Sequence, residues 1–222
     1  MTRSILVVAP HPDDETLGCG GALLRHGAEG DQLHWVIVTA MAPESYPAEL
    51  RARRAAELRE VERLYGFAST HELGFPAARL ETVPRAALVE KMSAAFNAVR
   101  PDIAYLPHPG DVHSDHRVAF EAAAACVKWF RPPAPRRVLV YETLSETDAA
   151  VDPAAQPFRP NVFLDISAHL DGKLEILQRY QGEVGLFPFP RSVEAVRALA
   201  RVRGAAAGCD AAEAFQLVKE IV

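Results

Sequence analysis

Two short stretches of this 222-residue chain gather the residue types that hold cations and move protons. The first, HPDDE at His11–Glu15, follows the apolar run Ile5–Ala9 and precedes a glycine-bearing helical pattern. The second, HPGDVHSDH at His108–His116, follows the run Asp102–Pro107 and holds three of the chain's eight histidines. An imidazole nitrogen and a carboxylate oxygen at i and i+3 through a turn can converge on one point, so His11 and Asp14 suit a metal ion. Asp13 then points differently and is free to act on a water at the ion instead of on the ion itself. A catalytic zinc needs a third protein ligand and an open position. The second stretch offers His108, His113 and His116 for that place, with Asp111 and Asp115 between them.

Simpler readings explain less. A carboxylate capping a helix is worth ~0.5–2 kcal/mol, which accounts for one aspartate and not for the cluster. A dinucleotide site fails because Pro10–Glu15 separates the strand from Gly18, Gly20 and Gly21. The second strand also ends without an acid for a ribose hydroxyl, and phosphates would meet two aspartates. No GxSxG elbow for a serine nucleophile occurs anywhere.

The elements that must position these residues alternate from the start. Apolar runs at Ile5–Ala9, Leu33–Ala40, Asp102–Pro107, RVLVYE and NVFLDI read as strands, with a short one at THELGF. Helical patterns at Thr16–His26, from Ala48 to a stop at Gly66, at Thr82–Val99, His116–Phe130 and Ala168–Tyr180 fall between them. Segments 144–160 and 182–192 read as irregular. This order predicts an α/β fold, a Rossmann-like three-layer sandwich with a mostly parallel sheet and its active site at the strand C-terminal edge. One domain over residues 1–222 is the expectation. Hydrophobic residues make up 49% and charged residues 24%, as in ordinary globular chains. A net charge of −5 argues against a broad grip on nucleic acid. Three separated cysteines without a CxxC suggest neither a disulfide framework nor a thiolate zinc site. No apolar run approaches the ~20 residues of a membrane span. With no signal-peptide pattern at the start, the expected location is the cytoplasm. Self-association stays open.

The two stretches together resemble the paired signatures (A/P)HPDDE and HxDH of the LmbE-like or PIG-L family of metal-dependent N-deacetylases, complete here as Pro10–Glu15 and His113–His116. Similarity continues at Arg54-x-x-Glu57, LGFP at Leu73–Pro76 and AEAF at Ala212–Phe215. The resemblance implies a Rossmann-like fold, one zinc per chain on His11, Asp14 and His116, and Asp13 as general base. The implied reaction is hydrolysis of the N-acetyl amide of an N-acetyl amino sugar, or of a glycan- or nucleotide-linked derivative, to acetate and a free amine. His113 is the candidate to assist the oxyanion or the leaving nitrogen. Asp115 is expected to hold its ring and raise its pKa; the competing reading is a cap on the helix of His116. Asp111 stands where some relatives carry a tyrosine. Ionised, it cannot assist an oxyanion, which leaves it to hold a histidine or to bind substrate hydroxyls.

Two arginines are expected at the substrate. Arg54 matches the family's Arg-x-x-Glu position, with Glu57 beside it, and otherwise reads as part of a solvated helix face. In LFPFPRS (Leu186–Ser192) prolines stiffen the chain, aromatics can stack on a sugar, and Arg191 can pair with phosphate or carboxylate. Two other classes compete: a metal-dependent phosphoesterase, which prefers two ions, and a non-catalytic carbohydrate- or metal-binding relative.

Overall fold

A computed structural model describes residues 2–131 and 133–222. Its strands are β1 (Ser4–Ala9), β2 (Gln32–Ala40), β3 (Ser69–Pro76), β4 (Ile103–Pro107), β5 (Arg137–Tyr141), β6 (Val162–Asp165) and β7 (Ala212–Glu220). They form one sheet in the order β3-β2-β1-β4-β5-β7-β6. Pairings from β3 to β5 are parallel, and β7 runs antiparallel to both of its neighbours. The helices are α1 (Asp14–Ala28), α2 (Ala48–Tyr65), α3 (Arg85–Val99), α4 (Ser114–Cys126), α5 (Leu170–Leu177) and α6 (Val193–Ala207). None of these helices is long and apolar enough to cross a membrane.

The central strands lack alternation because both faces are covered. In β1, Ile5, Val7 and Ala9 pack with Leu23 of α1, Val61 of α2 and Ile176 of α5. Leu6 and Val8 pack on the other face with Met92 of α3 and Ala119 of α4. The result is the three-layer α/β arrangement that the alternating pattern predicts. From β1 the chain winds outward through β2 and β3, then returns to place β4 on the opposite side of β1. This reversal opens a crevice at the carboxyl ends of β1 and β4, the usual place for a ligand in such sheets.

Some boundaries depart from the sequence reading. Helix α4 ends at Cys126, and Trp129 and Phe130 beyond it are 73% and 58% exposed. Helix α3 starts at Arg85, after Pro84 and a single 3-10 turn at Leu80–Thr82. Neither α6 nor β7 is anticipated. The buried residues of α6 are Val196, Ala200 and Gly204. Strand β7 buries only Ala212–Phe215.

Helix α1 breaks within itself, at Cys19, whose φ and ψ are −145° and 23°. Its glycines set it against the sheet layer: a Cβ on Gly18 would lie 2.1 Å from the Tyr141 ring, and one on Gly21 2.7 Å from Ile166. The break frees backbone groups that a buried ion pair then takes up. Glu213 of β7 accepts the N–H groups of Gly21 and Ala22 at 2.9 and 2.7 Å. Lys173 of α5 donates to the Leu17 carbonyl at 2.8 Å and to Glu213 at 2.7 Å. Anion on N–H groups and cation on a carbonyl match the dipoles of the two half-helices. Removing one partner leaves an uncompensated buried charge. Glu213→Ala or Lys173→Met should therefore cost about 3–5 kcal/mol in denaturant unfolding. The double variant Lys173→Met/Glu213→Ala should lose clearly less than the sum of the two singles, and additive losses would contradict the pairing.

Candidate metal centre

Strand β1 ends at Ala9, and the HPDDE turn carries the chain into α1. Asp13 sits in this turn with φ 125° and ψ −25°, a conformation that costs a non-glycine residue on the order of 1–3 kcal/mol. Its surroundings impose it. The Asp13 carbonyl accepts the N–H groups of Thr16 and Leu17 at 3.0 and 2.8 Å. Its own N–H donates to Glu15 at 3.1 Å. Glu15 is fully buried, which pushes its pKa up to about 7, and it also accepts the Thr16 and Tyr180 hydroxyls at 2.5 and 2.6 Å.

Beside β1, strand β4 delivers the second histidine-rich turn, and His113 caps α4 with ring Nδ1 accepting the Asp115 N–H at 3.1 Å. His11, Asp14 and His116 thereby meet: Asp14 Oδ2 lies 3.4 Å from His11 Nδ1 and 3.3 Å from His116 Nε2. Partners behind the rings fix the tautomers. His116 Nδ1 donates to Asp111 at 2.8 Å, and Thr147 donates to the other Asp111 oxygen at 2.6 Å. His11 Nε2 donates to Asp115 at 2.9 Å, where Asp115 also accepts the N–H groups of Ala78 and Leu80 at 2.7 and 3.0 Å. Both rings then turn a lone pair toward Asp14. His116 Nε2 is buried and has no hydrogen-bond partner. With both rings neutral, three acceptors face one another and suit a cation, which would displace the protons that the site otherwise attracts; the three atoms lie within 4.8 Å of one another.

The electrostatics agree. Burial opposes a charged His11, but hydrogen bonds to Asp115 and Asp14 push its pKa up to about 9. His116 is likewise raised against burial by the Asp14 charge, and the two rings hold Asp14 low despite its burial. Asp13, 2% exposed, behaves oppositely: burial and the neighbouring Asp14 charge raise it, with Arg191 opposing. A further grouping of His11, His113 and Asp115 is no independent site, since it shares His11 and spends Asp115 on the backbone donors of Ala78 and Leu80.

The expected pairing of Asp115 with His113 does not form. Asp115 holds His11, and its oxygen lies 4.0 Å from His113 Nδ1. Burial and the nearby His11 lower the His113 pKa where the sequence reading had it raised. Asp111 takes one of its two anticipated roles and holds a histidine, His116. His108 stands apart, bound to the Gln156 carbonyl at 2.8 Å.

Above the cluster lies a cavity of about 420 Å³, reached by Asp13, His113, Arg51, Arg54, Glu183 and Arg191 among others. Both arginines expected to bind substrate already have protein partners. Arg54 pairs with Glu183, with Glu57 at 3.4 Å, and with the Pro12 carbonyl at 3.5 Å. Arg191 lies 3.2 Å from Asp13 and 3.5 Å from Glu183. The aromatics of LFPFPRS do not line the cavity: Phe187 is 66% exposed, and Phe189 lies under Arg191. Sequence reasoning missed Glu183 and Arg51. Nothing in the local sequence marks Glu183, whose role depends on how segment 182–192 crosses the sheet edge.

A family model described as GlcNAc-PI de-N-acetylase (PIG-L) matches residues 6–127. The chain is 33% identical over 156 residues to 1D-myo-inositol 2-acetamido-2-deoxy-alpha-D-glucopyranoside deacetylase of Saccharomonospora viridis, a match spanning 56% of this chain and 58% of that protein. It is 26% identical over 192 residues to the probable N-acetyl-alpha-D-glucosaminyl L-malate deacetylase 2 of Bacillus anthracis, covering 82% and 81%. Among solved structures, the conserved protein TT1542 of Thermus thermophilus is 30% identical with TM-score 0.79, covering 100% of this chain and 97% of that one. GalB, the 4-carboxy-2-hydroxymuconate hydratase of Pseudomonas putida KT2440, also superposes at TM-score 0.79, but at 20% identity over 100% and 98% of the two chains it shows the fold alone. With the family model matched over more than half its length and a 30% identical structure spanning all of it, this chain belongs to the PIG-L (LmbE-like) family.

Proposed function

We propose that this protein is a zinc-dependent N-deacetylase that hydrolyses the N-acetyl amide of an amino sugar, or of a glycan- or nucleotide-linked derivative, to acetate and the free amine. The observation that carries the reading is the unpartnered, buried lone pair of His116 Nε2, facing Asp14 at 3.3 Å. The deacetylase names of the curated relatives support the reaction class. Two imidazole nitrogens and one carboxylate oxygen fit zinc, although iron or cobalt suits the same donors. When bound, such an ion supplies a Lewis acid that polarises the amide carbonyl and makes water reactive near neutral pH.

The remaining work falls to the chain. Asp13 reaches the cavity next to Asp14 without joining the ligand set, which places its carboxylate to take a proton from water. His113 is held with Nδ1 accepting the Asp115 N–H, which places a neutral ring's proton on Nε2, and burial and the nearby His11 disfavour the charged ring. As a neutral donor it can hydrogen-bond the carbonyl oxygen as negative charge develops there. Asp115 serves by orienting His11, and Asp111 by orienting His116. With Arg54 and Arg191 committed to carboxylates, Arg51 is the better candidate to meet an anionic substituent. Its Nε donates to the Tyr46 carbonyl at 3.3 Å, and it has no carboxylate partner among the described residues.

Acetate release across a panel of N-acetylated sugars and nucleotide sugars should disappear with chelator and return with zinc, at one ion per chain. Release that persists through exhaustive chelation would remove the reading. His116→Ala should lose stoichiometric zinc, and full retention of zinc would place the ion elsewhere. Asp111→Asn should keep the site but weaken zinc binding by about 10–100-fold in a competition titration. Replacing Asp13 with Asn should leave metal content intact while slowing release by ~10²–10⁴; loss of the metal together with activity would make Asp13 a ligand.

A further inference from the structure

We propose that Glu183 is a positioning residue for Asp13, completing a ring of six residues in which five side chains grip Asp13 by its backbone and by its carboxylate at once. The inference rests on the reading of Asp13 as the base. Asp13 donates its N–H to Glu15 at 3.1 Å, and Glu15 accepts the Tyr180 hydroxyl at 2.6 Å. The Arg54 guanidinium lies over the Tyr180 ring, 5.6 Å from its centroid, and donates to Glu183. Glu183 faces Arg191 at 3.5 Å, and Arg191 returns to the Asp13 carboxylate at 3.2 Å.

Most members of the ring are tied to regular elements. Glu15 and Asp13 flank the start of α1, Arg54 lies on α2, and Tyr180 closes the turn after α5. Arg191 is different. It follows a loop whose tip, Leu186 and Phe187, faces solvent, and its Nε has no partner. Apart from Asp13, its remaining contacts are the Phe189 ring of its own loop and Glu183. Glu183 is itself placed by its backbone N–H on the Tyr180 carbonyl at 3.1 Å. It is the one carboxylate that meets both cations, which would otherwise repel each other across the cavity wall. A residue in a sparsely populated backbone conformation keeps it only while its surroundings over-determine it. The Glu15 bond restrains the Asp13 backbone, and the Glu183–Arg191 arm restrains the carboxylate.

The test combines crystallography with kinetics of Glu183→Ala and Glu183→Gln, at a side chain that is 28% exposed. In crystals of Glu183→Ala the Asp13 carboxylate should be displaced or spread over several positions, while His11, Asp14 and His116 superpose on the wild type. With an N-acetyl sugar that the wild type cleaves, kcat should fall about 10–100-fold, the order expected for ~1 Å of misplacement. KM should stay within about threefold, metal content should be unchanged, and Glu183→Gln should lie between. Adding Glu183→Ala to Arg191→Ala should cost little more than Arg191→Ala alone. An Asp13 that does not move in Glu183→Ala would overturn the proposal. So would a rise in KM at constant kcat, which would make Glu183 a substrate contact. If the wild type releases no acetate from any N-acetyl sugar, the reading of Asp13 as a base falls, and the crystallographic arm alone decides whether Glu183 holds Asp13.

Discussion

The hydrogen bond from His116 Nδ1 to Asp111, at 2.8 Å in a fully buried setting, is the constraint on which the candidate site depends. It assigns the proton to one ring nitrogen and turns the other into a lone pair. The bond from His11 Nε2 to Asp115 does the same for the second ring. Without these two partners, either imidazole could rotate or adopt the other tautomer, with its proton on the nitrogen that faces Asp14. The carboxylates behind the rings thus matter as much as the donors that face inward. They also explain why two histidine-bearing turns, brought side by side by the pairing of β1 with β4, form a candidate cation site.

The fold meets the cost of this arrangement by spending polar groups in the interior. Asp13 is held at positive φ, and Glu15 lies beneath it with both oxygens engaged. One helical turn later, α1 breaks at Cys19 and the Lys173–Glu213 pair closes the break. Both features are local departures from ideal helix geometry, and both keep the amino end of α1 at the sheet edge. The AEAF stretch, which lies far from HPDDE in the chain, therefore acts on it directly: its glutamate binds the second half of the helix that HPDDE begins.

How much of this was legible in the sequence follows from where each determinant lies. Strands buried on both faces announced themselves as unbroken apolar runs, and the His/Asp turns were visible because their members are neighbours in sequence. Helix α6 carries an ordinary amphipathic pattern, with Val196, Ala200 and Gly204 inward and Glu194 and Arg201 outward, and the sequence reading simply missed it. Asp115 was matched with His113 because the two are close in sequence, yet its ring partner, His11, lies 104 residues away. Arg54 read as paired with Glu57 alone, a local pairing the structure keeps at 3.4 Å, and Arg191 read as a free charge for the same reason. Their distant carboxylates sit 129 and 178 residues away, at Glu183 and Asp13, and no local pattern encodes such pairings.

The shared fold of a hydratase and of this chain means that the chemistry has to be argued from the site. The most direct test of the account is therefore where the ion binds. Anomalous diffraction at the zinc edge from a zinc-loaded crystal should show one peak per chain, within bonding distance of His11 Nδ1, His116 Nε2 and an Asp14 carboxylate oxygen, with Asp13 outside the coordination sphere. A peak between His113 and Asp115, a second ion of comparable occupancy, or Asp13 as a ligand would contradict it.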